Sequence, residues 1–124
     1  MAAKQKVNKE IVTQAIIESI EKEHENPDIR ALYVKGYKTP DKIITKGDAE
    51  KGYTPDVIYS NEDSTELYEI ELDKKIELNK WRLFSLFSKK ENGSLNIVTQ
   101  EEHLSYFREL LKTNSIKNAK LIYF

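Results

Sequence analysis

An α/β domain, a mixed sheet with helices on both faces, is the fold class this sequence predicts, and three patterns predict it. A helical stripe of apolar residues opens the chain near residue 8. Two short runs with strand-like alternation lie near its middle, separated by a turn. Beyond them strand and helix patterns alternate to the last residue, the β-α-β-α-β rhythm of a sheet with crossover helices. A chain of 124 residues fits one domain, 1–124, with one core.

Each element has its own signal. Asn8 caps a helix running to about Glu25, with Ile11, Val12, Ala15, Ile16 and Ile20 as its buried stripe. Asn26-Pro27-Asp28 ends it. Residues 29–37 (IRALYVKGY) are rich in β-branched and aromatic side chains and read as a strand. Residues 38–53 carry Pro40, Gly47 and Gly52 and form a loop or loose hairpin around Ile43-Ile44. Strands over 55–60 and 66–73 follow, joined by the turn Asn61-Glu62-Asp63-Ser64.

A helix from Glu77 to Lys90 comes next, with Leu78, Trp81, Leu83, Phe84, Leu86 and Phe87 spread around it. A helix apolar on most sides is covered on more than one face, by a homodimer contact or by the 38–53 loop. Asn92-Gly93 stops it, and Leu95–Val98 is a buried strand. Thr99 with Glu102 spells a capping box for a third helix bearing Leu104, Phe107, Leu110 and Leu111. Ala119–Phe124 is the final strand. The predicted order is α-β-β-β-α-β-α-β.

Chemistry concentrates in the central pair. In the run 67–73, Tyr68, Ile70 and Leu72 alternate with Glu69, Glu71 and Asp73, so the acids share one side of the strand. Antiparallel pairing brings Asp56 beside Glu69 and Glu71. Clustered carboxylates repel unless a proton or a cation lies between them, which points to a divalent metal. Asp73 lies further along and starts the turn into the next helix.

Composition narrows the class. Charged residues make up 33% and apolar ones 39%, as in an ordinary globular protein. There is no cysteine, hence no disulfide, thiol nucleophile or thiolate zinc site. No run approaches a membrane span and no signal-peptide core opens the chain, so the expectation is a cytoplasmic protein without a membrane partner. Net charge is -1, but it is unevenly spread. Residues 30–51 hold six basic and three acidic residues, net +3, and residues 61–77 hold seven acidic and two basic, net -5. Residues 78–90 hold four basic residues and no acid, net +4. An acidic centre flanked by basic segments suits a metal-dependent enzyme acting on a polyanion.

The pattern Pro55-Asp56, then Glu69-Ile70-Glu71 on the next strand, resembles the signature of the PD-(D/E)xK nuclease superfamily, which includes restriction endonucleases, Holliday-junction resolvases and VRR-type nucleases. The resemblance extends over nearly the whole order of elements and implies a restriction endonuclease-like fold. It also implies a Mg²⁺- or Mn²⁺-dependent nuclease, with nucleic acid, most readily DNA, as partner. Asp56, Glu69 and the carbonyl of Ile70 would hold the metal. Glu10, with Gln14 one turn on, resembles the Glu-x-x-x-Gln of the first helix in VRR-type nucleases, where that Glu approaches the metal.

One departure stands out: Glu71 occupies the position where the family usually has Lys. Glu71 would then serve as general base or bind a second ion, and the missing cation would come from Lys74, Lys75 or Lys80, with Lys80 best placed. Tyr37 and Tyr53, near lysines and glycines, are expected substrate contacts alongside Gln14, Lys74 and Lys75. Trp81 reads as core, and His24 and His103 have no ligand-like spacing. Two alternatives stay open: a catalytically inactive member of the same fold that binds or assembles, and an unrelated α/β interaction or inhibitor protein whose acidic hairpin mimics nucleic acid or docks a basic partner.

Overall fold

The computed structural model describes residues 7–45 and 52–124; residues 46–51, part of the expected 38–53 loop, lie outside them. Among the described residues, helices α1 (Lys9–Glu23), α2 (Leu78–Lys90) and α3 (Leu104–Thr113) pack on a five-stranded mixed sheet. Its strands are β1 (Asp28–Ala31), β4 (Val57–Ser60), β5 (Thr65–Ile70), β6 (Leu95–Thr99) and β7 (Ala119–Tyr123), in the order β1-β4-β5-β6-β7. The first three pair antiparallel, and β5, β6 and β7 run parallel. A separate ribbon pairs β2 (Ile43–Ile44) with β3 (Gly52–Tyr53). None of the described helices is long and apolar enough to cross a membrane.

Alternation along the strands divides the core into two layers. Val57, Tyr59, Ile70 and Val98 face α1 and meet Val12, Ile16, Ile17 and Ile20. Leu67, Leu95 and Ile97 face the other way and meet Trp81, Phe84 and Phe107 of α2 and α3. The side chain of Asn8 accepts the Ile11 amide and caps α1 as its sequence predicts. The buried arc is Val12, Thr13, Ile16, Ile17 and Ile20, however, while Ile11 and Ala15 are exposed on its rim. Extra cover for α2 comes from the ribbon: Ile43 is buried in its layer, and the Tyr53 ring meets Phe84 edge-on at 6.5 Å.

Three boundaries differ from expectation. The strand predicted over 29–37 stops at Ala31, because Tyr33 (φ 68°) and Gly36 (φ 92°) turn the chain in left-handed conformations. Local turn geometry overrides β propensity there. The second acidic strand ends at Ile70, although Glu71 donates one further amide bond to Val98. The Thr99–Glu102 capping box does not form. Thr99 is still extended, paired with Tyr123 and fully buried, and a 3₁₀ turn (Glu101–His103) leads into α3 instead.

The crossover from α2 to β6 is tightly held. Ser94 donates its amide (2.7 Å) and hydroxyl (2.8 Å) to Glu66, and Asn118 donates to the Gly93 carbonyl (3.0 Å). A Cβ on Gly93 would overlap the Thr65 carbonyl oxygen. Gly93→Ala should therefore destabilise by about 1–3 kcal/mol, the range of an overpacked core site. Phe107→Ala, which empties the centre of its layer, should cost about 3–5 kcal/mol. Urea melts of the two variants against wild type measure both losses.

Candidate active site

The β4–β5 register sets Val57 opposite Tyr68, so Asp56, one residue before β4, falls opposite Glu69. The two lock reciprocally. The Asp56 amide donates to Oε1 of Glu69 (3.0 Å), and the Ile70 amide donates to Oδ2 of Asp56 (2.8 Å). Glu71, two residues on, points the same way and accepts the Trp81 indole N–H at 2.8 Å. All three carboxyl groups are buried: Glu69 is 1% exposed, Asp56 3% and Glu71 7%.

Buried carboxylates need compensation, and two helices on opposite faces of the sheet supply it. From α2, Nζ of Lys80 lies 2.9 Å from Oε2 of Glu69 and 3.8 Å from Oε2 of Glu71. From α1, Nζ of Lys9 lies 3.5 Å from Oδ2 of Asp56. Lys9 occupies the face that carries Val12, Thr13 and Ile16, and that was the available sequence signal: a lysine in register with an apolar stripe. The sequence reading missed it.

Titration reflects the crowding. Burial first, and the Asp56 charge second, raise Glu69 to about 7 in spite of Lys80. Glu71 is also raised, chiefly by burial. Burial pulls against the ammonium of Lys80, yet Glu69 and Glu71 outweigh it, and its pKa sits above the ordinary lysine value. Lys9 behaves likewise through Asp56 and Tyr33.

The other expected residues lie away from this cluster. Glu10 is exposed in the first turn of α1, and it is its neighbour Lys9 that reaches Asp56. Gln14 bonds to Glu18 along the helix surface (3.4 Å). The Tyr37 hydroxyl donates to Glu21 (3.2 Å), and Tyr53 packs on Phe84. Lys74 sits 5.1 Å from the Tyr106 ring centre, and the exposed Lys75 donates its amide to Asp73. Of the three lysines offered as the missing cation, the structure brings Lys80 to the acids.

In donor type the cluster fits a hard divalent ion, since all its side-chain acceptors are carboxylate oxygens. As arranged, the ammonium groups of Lys80 and Lys9 engage those oxygens. No group of three or more His, Cys, Asp or Glu among the described residues stands ready as a metal cage.

The raised Glu69 makes stability depend on pH. Between the unfolded value of 4.5 and the folded value of about 7, the folded state keeps a proton that the unfolded chain has lost. That contribution is complete below the lower value and is lost as pH rises through the upper one. Urea melts between pH 4.5 and 7.5 should show wild type losing up to about 3 kcal/mol across this window, with the slope reduced in Glu69→Gln. Equal slopes would mean that Glu69 does not hold the proton. Comparison with known proteins returned no match to a family model, to a curated protein or to a solved structure, so the geometry of this cluster carries the functional reading.

Proposed function

We propose that the chain is a divalent-metal-dependent nuclease of the PD-(D/E)xK type, with a restriction endonuclease-like fold, hydrolysing phosphodiester bonds in nucleic acid, DNA foremost. One observation carries the reading: Lys80 reaches Glu69 at 2.9 Å from a helix, supplying the cation that Glu71 denies to the strand. The mixed sheet and the reciprocal Asp56–Glu69 pair add support.

In this reading Asp56, Glu69 and the Ile70 carbonyl would hold Mg²⁺ or Mn²⁺. Such an ion, when bound, acidifies a water and neutralises phosphate oxygens. The residues of the chain do the rest. Lys80 steadies the negative charge that builds on the phosphate. Glu71, oriented by the Trp81 indole and raised by burial, accepts the proton of the attacking water. Lys80 and Lys9 would have to turn from the acids toward substrate for the ion to be held.

That requirement also favours a second reading, in which the ion pairs are a permanent polar core and the protein binds or assembles without cleaving. A Mn²⁺ titration separates the two, because a permanent core takes up no ion.

The test is cleavage of single-stranded, duplex and branched DNA with Mn²⁺, repeated in EDTA. EDTA should abolish cutting, and Lys80→Ala should slow it by roughly 10²-fold or more. Asp56→Asn should remove it. Asn is the better probe than Ala, since Asp56→Ala orphans the buried Ile70 amide, a loss of about 1–3 kcal/mol that confuses folding with chemistry. Undiminished cutting by Asp56→Asn would refute the site.

A further inference from the structure

Beside the cluster stands a residue that local energetics disfavour. The described non-glycine residues with positive φ are Asn26, Tyr33, Asn92, Ser115 and Asn118. Asn tolerates this conformation and Ser is small; a bulky aromatic does not suit it. Tyr33 holds φ 68° nonetheless, and its side chain gains little burial in return, being 48% exposed. Strain kept without packing benefit marks positions with another use.

The surroundings say which. The Leu32 amide donates to the Asp56 carbonyl (2.9 Å), so the turn carrying Tyr33 is fastened to the residue that opens the acidic cluster. Lys9 Nζ donates to the Tyr33 hydroxyl (3.4 Å), lies 5.4 Å from its ring centre and is 3.5 Å from Asp56. An exposed ring and a partly exposed ammonium thus stand together at the edge of the site. Tyr37 and Tyr53, by contrast, are half-buried and already engaged.

We infer that Tyr33 stacks on a nucleobase next to the scissile position and that Lys9 pairs with the adjoining phosphate, an assignment that rests on the nuclease reading above. An aromatic ring and a cation side by side match the repeating unit of a single nucleic-acid strand, a flat base and a charged linkage. The pair is a positioning device. Its alternative is structural, with the ring serving only to shelter the Lys9–Asp56 ion pair.

Glycine at position 33 separates the two roles, because glycine adopts this φ freely and keeps the turn while removing the ring. Binding is measured with Ca²⁺ in place of Mn²⁺, so that the carboxylates are occupied and Lys9 is released, using a single-stranded DNA that carries 2-aminopurine. Wild type should quench the fluorescent base. Tyr33→Gly should lose the quenching and raise Kd about 5- to 100-fold, while melting no lower than wild type. Tyr33→Phe should stay within about 3-fold of wild type, since it keeps the stacking face. Lys9→Ala should flatten the dependence of log K on log salt by about 0.7, the share of one phosphate contact on a single strand.

Unchanged affinity and quenching in Tyr33→Gly would overturn the inference while leaving the nuclease reading intact. Wild type that binds no such oligonucleotide would overturn the inference, while the Mn²⁺ cleavage assay on the three DNA forms decides the nuclease reading separately. A Tyr33→Gly that melts well below wild type would assign the ring to structure and overturn the inference.

Discussion

Three carboxyl groups buried at one end of a two-strand hairpin are the constraint around which the rest of this molecule is arranged. Ionised and alone, they would be driven apart or protonated. Their burial is tolerable because cations arrive from both faces of the sheet, Lys9 from α1 and Lys80 from α2, and because two backbone amides and an indole fill further lone pairs. Placing both lysines in the first turns of their helices fixes where those helices begin. Asn8 and Glu77 cap them there.

The compensation is incomplete by design of the site or by accident of its history, and either way it has chemical meaning. Glu69 is left near the midpoint of its titration at neutral pH. A carboxyl in that state exchanges its proton for a cation at small cost. A fully neutralised cluster would be inert, and a fully ionised one would pull its strands apart. The arrangement lies between those extremes.

Most of the architecture was legible in the sequence because its signals were local and redundant. The hairpin needed only alternation and the Asn61–Ser64 turn. Buried β6 announced itself as a short apolar run, and Lys80 was singled out from the helix that follows the acidic strand. What failed had causes of two kinds, local backbone geometry and contacts distant in sequence. The 29–37 strand was cut short by a turn that Gly36 signals but that begins earlier, at Tyr33, where the side chain does not announce a left-handed conformation. Thr99-x-x-Glu102 has the letters of a cap, but pairing with β7 keeps Thr99 in the sheet. Lys9 escaped notice because a charged first-turn residue reads as solvated until the depth of the helix face is known. Tyr33 was passed over because no sequence rule flags an aromatic residue in the left-handed region.

The separation in sequence between partners also orders events in time. Lys80 lies eleven positions after Glu69, Asp56 and Glu69 meet across a hairpin 13 apart, and Lys9 closes on Asp56 over a span of 47. Loop-closure entropy makes the nearest contact the first to form. Lys80 is therefore within reach of Glu69 at least as early as Asp56 is, and the counter-charge that arrives last is Lys9, so Asp56 stays without its ammonium partner until α1 docks.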